Sequence, residues 1–260
     1  MGTLDGQVAI VTGGARGLGE GIARRLAAEG ASIVIADRTS AEPLVAQLPP
    51  TPLGHQAAVV DVRSGHEVDR LVEDAKARYG RLDILVNNAG VMDSGADVAD
   101  LTDAEYEFVF DVNVRGVVNG CRAAARVFRE QDRGRIINIA SYIGKKAIAG
   151  HALYSASKAA VISLTQALAL ELGRYGTTVN SICPGTMYTP MWVEKLPTFV
   201  GEENPDVEKY RREHAEVNVP VGRLGEGADV GALAAWLASD DAAFMTGAAL
   251  NLTGGEAVFF

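Results

Sequence analysis

Three side chains in the middle of the chain have the types and the spacing of an acid/base device. Tyr154 and Lys158 stand four residues apart, and Ser141 lies thirteen residues before Tyr154. Residues four apart share one face of a helix, so the Lys158 ammonium can approach the Tyr154 phenol. A nearby cation lowers the pKa of a phenol from its ordinary value of about 10, which allows proton exchange with an alcohol or a carbonyl. The same spacing also occurs on an ordinary solvated helix face. The motifs in the rest of the chain must therefore show whether these residues form an acid/base site.

The bulk composition is that of an ordinary globular protein. The chain has 260 residues, 48% hydrophobic and 22% charged, which suits one large α/β domain. The net charge of −9 comes without a dense Lys/Arg cluster, which argues against a nucleic-acid or anionic-membrane surface. Two cysteines give no disulfide framework, residues 1–7 lack the features of a secretory signal, and no apolar run is long enough to span a membrane. We therefore expect a cytoplasmic protein.

Short apolar runs alternate with amphipathic stretches almost to the C-terminus. The runs are β-branched without strict alternation, as in buried parallel strands, and cover 8–11, 32–36, 57–60, 84–86, 135–139, 178–182 and 248–252. Helical patterns cover 19–29, 66–79, 104–130, 152–175 and 228–238. Repeated β-α-β units predict an α/β fold with a doubly wound parallel sheet, in a single domain over residues 1–260. Residues 186–220 hold four of the nine prolines, and we interpret them as an excursion that forms a substrate loop.

A glycine-rich turn, Thr-Gly-Gly-Ala-Arg-Gly-Leu-Gly at 12–19, joins the first strand to the first helix. Its glycines permit positive φ and a close approach of the backbone to a pyrophosphate, and the helix N-terminus offers free amides to phosphates. A plain tight β-α connection is the alternative. The position at the first β-α junction favours a dinucleotide site, with contacts expected from Gly13, Arg16, Gly17, Leu18 and Gly19.

An acidic residue at the end of the second strand favours NAD over NADP. Asp37 stands where a carboxylate can accept hydrogen bonds from both ribose hydroxyls. A 2′-phosphate about 4 Å away would cost up to ~4 kcal/mol per unit charge at an effective dielectric constant of about 20. Arg38 and Arg16 oppose this preference, because either could turn toward a 2′-phosphate.

Two later turns complete the expected cofactor site. Asp61 and Val62, after the third strand, would hold the adenine through an acceptor and an apolar contact, although a strand-end cap is the plain alternative. The turn Asn88-Ala89-Gly90, after the fourth strand, would line the adenine-ribose side, unless it is only an Asn-rich turn. The four histidines show no ligand spacing with Cys or carboxylates, so no metal site is expected.

Taken together, these motifs resemble the short-chain dehydrogenase/reductase family. The resemblance covers essentially the whole chain and rests on segments 12–19 and 87–90, Asn113, Ser141, Tyr154 with Lys158, and Pro184-Gly185 with Thr189. It implies a single Rossmann-type domain with a seven-stranded parallel sheet, a nicotinamide cofactor and a homotetramer. Pro184 and Gly185 would back the nicotinamide, and Thr189 would hydrogen-bond its carboxamide.

The resemblance also implies a role for each catalytic position. Tyr154 would move the proton of the substrate hydroxyl, and Lys158 would lower the pKa of Tyr154 and bind the nicotinamide ribose. Ser141 would position the substrate oxygen. Asn113, within the predicted helix 104–130, would hold a water that links Lys158 to solvent. For Asn113 the alternative is that its amide only satisfies a backbone group.

The C-terminal third resembles the polyol dehydrogenases of that family, and sorbitol-6-phosphate 2-dehydrogenases in particular. This likeness lies in segments 189–192 and 246–255 and implies oxidation of a sugar alcohol to a ketose. Lys145 and Lys146 are the candidates to bind a substrate phosphate, although surface charges are their more usual role. His151 could bind a substrate hydroxyl or serve as a loop or helix-cap residue.

Three functions are compatible with these residues. The first is NAD-dependent oxidation of a polyol or another small secondary alcohol. The second is a carbonyl reductase working in the opposite direction, on a 3-oxoacyl thioester or a cyclic ketone. The third is a non-catalytic nucleotide-sensing protein on the same fold. A sensor has no need to keep all four catalytic positions filled, which argues against the third function.

Overall fold

The computed structural model describes residues 2–258 and is built around one parallel sheet. Its strands are β1 (Val8–Thr12), β2 (Ser32–Asp37), β3 (Gln56–Val59), β4 (Ile84–Asn87), β5 (Gly134–Ile139), β6 (Thr177–Pro184) and β7 (Ala249–Leu252). Their order is β3-β2-β1-β4-β5-β6-β7, and every neighbouring pair is parallel. The order reverses between β1 and β4, which is the mark of a doubly wound sheet. The predicted fold class and the seven strands are confirmed.

Helices cover both faces of the sheet. They are α1 (Gly17–Ala28), α2 (Glu42–Val45), α3 (Gly65–Tyr79), α4 (Asp103–Phe110), α5 (Gly116–Gln131), α6 (Ala152–Leu172), α7 (Pro190–Val200), α8 (Val207–Asn218) and α9 (Gly227–Ala238). Successive residues of β1 supply two separate cores: Val8 and Ile10 pack with α3 and α5 residues, and Ala9 and Val11 with α1 and α9 residues. Because strand side chains alternate between faces, a continuous apolar run fills both cores.

The predicted helix 104–130 is interrupted. The chain forms α4, then a π-helical turn over Asp111–Arg115, then α5. Asn113 lies in this turn, and its amide bonds both backbone groups of Val91, with Oδ1 accepting from the nitrogen and Nδ2 donating to the oxygen at 2.8 Å each. Because the helices before and after a single π-helical turn keep their own apolar pattern, the periodicity of the sequence does not reveal the turn.

The excursion at residues 186–220 contains two helices rather than an irregular loop. Thr189 caps α7, with its Oγ1 accepting from the backbone nitrogen of Trp192 at 3.2 Å. Trp192 and Leu196 of α7 pack with Ala215 of α8 in a small core of their own. Within residues 2–258, no helix is both long and apolar enough to cross a membrane.

Candidate active site

A cleft of about 740 Å³ lies at the carboxyl edge of the sheet, beside the reversal between β1 and β4. Parallel α/β sheets bind their ligands at this place, and the volume suits a cofactor together with a small substrate. The structure brings the predicted cofactor-binding and catalytic residues together here, since all of them line the cleft except Gly19 and Asn113.

The glycine turn is folded as a phosphate-binding turn requires. Gly13 and Gly17 both have φ of +61°, and a Cβ on Gly13 would lie 2.7 Å from the Cα of Ala89. Gly19 does not line the cleft; a Cβ there would lie 2.2 Å from the Gly13 oxygen, so this glycine lets the turn close against α1. Arg16 occupies the N-cap of α1 without a side-chain cap bond, which leaves the first amides of the helix available to an anion. The turn therefore fits a pyrophosphate.

A hydroxyl that the sequence analysis did not single out ties this turn to the next one. Thr12 Oγ1 accepts hydrogen bonds from the backbone nitrogens of Asn88 and Ala89 at 3.0 and 3.2 Å. In return, the Asn88 side chain donates to the backbone oxygens of Thr12 and Gly13 at 2.9 and 2.8 Å. The loops after β1 and β4 thus form one unit at the floor of the cleft.

Asp37 and Asp61, which are expected to bind the ribose and the adenine of the cofactor, are already oriented by the protein. Asp37 Oδ2 accepts from the backbone nitrogen of Ala15 at 3.1 Å, and Oδ1 accepts from that of Thr39 at 3.2 Å. Asp61 is paired with Arg63 at 2.6 Å, and the hydrogen bonds from this guanidinium hold the pKa of Asp61 below its usual value. Carboxylates fixed in this way can accept hydrogen bonds from ribose hydroxyls or from adenine.

The predicted catalytic side chains lie near one another in the part of the cleft away from Asp37 and Asp61. Lys158 is 4% exposed and donates from Nζ to the Ile139 backbone oxygen at 2.9 Å, while Nζ lies 5.7 Å from the centre of the Tyr154 ring. A Cβ on Gly90 would lie 3.3 Å from both Lys158 Nζ and Asn113 Oδ1, so the missing side chain leaves room beside the ammonium. The Asn113 amide is occupied by protein, in agreement with the alternative that it satisfies the backbone.

The electrostatics at Tyr154 differ from the expectation that Lys158 lowers its pKa. Burial raises the pKa of Tyr154 to about 12, the Ser141 hydrogen bond opposes this rise, and the nearby Asp93 and Tyr142 add to it. Burial likewise lowers the pKa of Lys158 to about 8. Tyr154 keeps part of its surface exposed to the cleft, so water there moderates the rise. In the protein alone, Tyr154 is therefore a neutral phenol near pH 7, whereas Lys158, with its pKa lowered to about 8, still carries its proton there.

Two carboxylates beside the site were missed in the sequence. Asp93 follows the turn after β4 and contacts His151 and Tyr154. Glu256 accepts from the Thr186 backbone nitrogen and hydroxyl at 2.6 Å each, and from His214 at 3.0 Å. Burial raises the pKa of Glu256, but these bonds outweigh it and leave the pKa below its usual value. Asp93 lies at the carboxyl edge of the sheet. In the sequence, only its position after the fourth strand could have identified it as a residue near the site.

The substrate end of the cleft is lined by apolar side chains. Phe108, Ile148 and Phe199 all line it and remain 37%, 38% and 41% exposed. Neither Lys145 nor Lys146 is among the lining residues, and Lys145 donates to Asn251 Oδ1 on β7 instead. The suggested phosphate anchors are therefore not brought to the site.

His151 does not line the cleft and is buried against Asp93, so the structure does not place it on a substrate hydroxyl. It takes the N-cap position of α6 without making a side-chain cap bond. Among residues 2–258, no group of three or more His, Cys, Asp or Glu side chains could hold a metal ion.

Comparison with known proteins agrees with this geometry. The family model described as Enoyl-(Acyl carrier protein) reductase matches residues 13–256. The BbsD subunit of a hydroxy(phenyl)methylsuccinyl-CoA dehydrogenase from Thauera aromatica is 38% identical over 261 residues, 98% of each chain. The structure of levodione reductase matches with a TM-score of 0.91 and 35% identity, over 98% of this chain and 100% of that one. The 3-ketoacyl-(acyl-carrier-protein) reductase from Brucella melitensis, solved with NADH, matches with a TM-score of 0.86 and 32% identity, over the same shares. The chain therefore belongs to the short-chain dehydrogenase/reductase family of oxidoreductases.

Proposed function

We propose that the protein interconverts a secondary alcohol and a ketone on an apolar, ring-bearing substrate, and that it prefers NAD. The observation that carries this proposal is the exposure of Phe108, Ile148 and Phe199 in one cleft beside Tyr154. Burying apolar surface yields roughly 25 cal/mol per Å², and exposed apolar side chains gathered in one cleft are typical of a binding site for an apolar ligand. The phenyl group in the name of the Thauera relative supports the same class of substrate.

In this proposal Tyr154 exchanges the proton of the substrate oxygen, and Ser141 holds that oxygen in place. A nicotinamide cofactor, when bound, supplies or accepts the hydride. Lys158 binds its ribose from the floor of the cleft, and Asn113 supports the Lys158 end of the site. The raised pKa of Tyr154 makes it a proton donor near neutral pH, which suits ketone reduction, whereas alcohol oxidation needs the phenolate and should speed up as the pH rises.

The environment of Asp37 supports NAD. Both of its oxygens accept backbone hydrogen bonds, which keeps the carboxylate fixed at the end of β2. Arg16 is paired with Glu194 of α7 at 2.5 Å and is thereby drawn away from a 2′-phosphate. Arg38 lines the cleft and is the remaining cation that could favour NADP.

A polyol is the second candidate substrate. Tyr210 and His214 also line the cleft, and both can hydrogen-bond to hydroxyl groups. The apolar side chains of Phe108, Ile148 and Phe199 argue against a polyol substrate. The hydroxyls of a polyol placed against them would lose their hydrogen bonds to water without gaining partners in the protein.

We also propose a homotetramer in the cytoplasm. Leu170 on α6 is 87% exposed, and Phe244, beyond α9, is fully exposed, and subunit contacts would cover large apolar side chains of this kind. Both cysteines are free and buried, in keeping with a reducing compartment. Light scattering on the purified protein would test the assembly.

The substrate proposal is tested with alicyclic and aromatic ketones, their alcohols, and a set of polyols, each with NAD(H) and NADP(H), followed by nicotinamide absorbance. Phe199→Ser should lower kcat/KM for ring-bearing substrates about tenfold or more, with little change in the Kd for NADH. Val98→Ser is the matched control, since Val98 is 77% exposed and lies outside the cleft. Faster turnover of polyols than of every ring-bearing substrate would overturn the proposal, and full activity of Tyr154→Phe would overturn the mechanism.

A further inference from the structure

A buried ionisable pair adjoins the proposed acid/base without taking part in the chemistry described above. Asp93 is 2% exposed and His151 is 6% exposed, and His151 Nδ1 lies 2.5 Å from Asp93 Oδ1. They are 58 residues apart, Asp93 in the segment after β4 and His151 just before α6. Neither lines the cleft, so any effect on the reaction must pass through their neighbours.

One of those neighbours is the backbone of Tyr154. Asp93 Oδ2 accepts a hydrogen bond from the Tyr154 nitrogen at 2.9 Å. Because α6 begins at Ala152, this amide belongs to the first turn, where amides have no partner within the helix. A carboxylate at this end of a helix satisfies such an amide and is stabilised by the helix dipole. Asp93 therefore provides the cap that the N-cap residue of α6 does not, and the amide it holds is that of Tyr154.

The charge of Asp93 also reaches the phenol. Burial is the main cause of the raised pKa of Tyr154, the Ser141 hydrogen bond lowers it, and the charges of Asp93 and Tyr142 raise it further. Lys158 faces Tyr154 from its own helix. His151 is the partner that orients the Asp93 carboxylate.

The pair also contacts helix α7. Lys195 donates from Nζ to the Asp93 backbone oxygen at 2.8 Å. The rings of Phe199 and His151 pack in a T-shaped arrangement, with centroids 5.6 Å apart and planes at 72°. Lys195 and Phe199 both line the cleft, so the side chains that would meet a substrate rest on the same pair that holds Tyr154.

We propose that Asp93 and His151 are a positioning pair for Tyr154, which fixes its backbone, sets its charge environment and connects it to α7. His151 orients the carboxylate, Asp93 acts on Tyr154, and α7 packs on both. This inference rests on the proposed role of Tyr154 as the acid/base. A pair that only stabilised the fold would affect unfolding, but it would not move the titration of Tyr154 in a chosen direction.

The test uses Asp93→Asn, His151→Ala and His151→Asn in the full-length protein. An Asn side chain places an amide donor close to where Nδ1 stands, so His151→Asn keeps the bond to Asp93. His55→Asn is the matched control, because its ring nitrogens also bond the protein, at 3.1 Å to the Ile33 nitrogen and 2.7 Å to the Pro49 oxygen, outside the cleft. We expect His151→Ala to lower kcat about tenfold, His151→Asn to recover most of that loss, and the Kd for NADH to change less than about twofold in each.

Asp93→Asn should shift the pH profile of alcohol oxidation to lower pH by about half a unit to one unit, because it removes a negative charge near the phenol. The same shift is measured without turnover by NMR, from the ¹³Cζ signals of labelled tyrosines in the NAD complex, with Tyr154→Phe identifying the Tyr154 signal. A Tyr154 titration that stays in place or moves to higher pH in Asp93→Asn overturns the proposal, as does a His151→Asn variant no better than His151→Ala. Activity retained in Tyr154→Phe would instead reject the proposed function, and the NMR titration would still decide the electrostatic effect of the pair.

Discussion

The buried ammonium of Lys158 should cost the folded protein stability, and replacing it should reveal that cost. Burial lowers the pKa of Lys158 from 10.5 to about 8. At about 1.4 kcal/mol per pKa unit, keeping this group charged at neutral pH costs the folded state about 3 kcal/mol. Lys158→Met keeps an unbranched apolar chain of similar length and removes the charge.

The variant also loses an interaction. Nζ donates to the Ile139 backbone oxygen at 2.9 Å, and leaving that buried acceptor without a partner costs about 1–3 kcal/mol. The two effects together leave a net gain of about 1 kcal/mol in the free energy of unfolding. For a domain of this size, the gain raises Tm by about 2–4 °C. Oxidoreductase activity should be lost in the same variant, since the cofactor ribose loses its proposed partner.

The pH dependence distinguishes this explanation from better packing. The lowered pKa means that the cost is fully present below pH 8, decreases as folded Lys158 loses its proton, and is gone above about pH 10.5. The advantage of Lys158→Met should therefore be largest at pH 7 and shrink through pH 9 and 10. Urea unfolding of the cofactor-free protein measures it, because a bound cofactor would add stability by mass action. The reasoning fails if the variant is less stable than the parent at pH 7, or if its advantage is the same at every pH. Lys146→Met, at an exposed lysine, is the control and should show neither effect.

Two further substitutions test the cofactor site. Gly19→Ala places a Cβ about 2.2 Å from the Gly13 oxygen and should lower the free energy of unfolding by about 1–3 kcal/mol and weaken NADH binding in a fluorescence titration. Gly173→Ala is its control, because Gly173 has a helical φ of −55° and open space around it, and calorimetry should find it neutral or slightly stabilising. Asp37→Asn should raise the ratio of kcat/KM with NADP to that with NAD by about 100-fold or more, and an unchanged ratio would contradict the assigned ribose contact.

The five strands β1, β2, β4, β5 and β6 were predictable because they are buried on both faces. In β4, for example, residues 84–86 form a continuous apolar run, and such runs stand out between amphipathic helices. The helix 104–130 was predicted without its π-helical turn, where Asn113 contacts Val91, a residue 22 positions away that the local sequence pattern does not reveal. Helix α7 was hidden by its prolines, although Pro190 occupies the first turn, where a helix tolerates proline.

The cofactor end of the site was predictable for a related reason. In a parallel sheet, residues that end β2 or directly follow β1 and β4 must meet at one edge, so Gly13, Asp37 and Asn88 are brought together by topology alone. The pairing of Asp93 with His151 depends instead on the path of two loops, which no periodicity records. The same applies to Lys145, whose ammonium turns toward β7 rather than toward the substrate.

The charges in the cleft connect the direction of the reaction to the state of the cofactor. Burial drives Tyr154 and Lys158 toward their neutral forms, so the protein alone holds a phenol that can donate a proton to a ketone oxygen. Alcohol oxidation needs the phenolate, which a positive charge nearby would stabilise. The oxidised nicotinamide ring carries that charge and the reduced ring does not. Tyr154 would then be a base in the complex that oxidises and an acid in the complex that reduces, and the negative charge of Asp93, which raises the pKa of Tyr154, favours the phenol form that donates the proton.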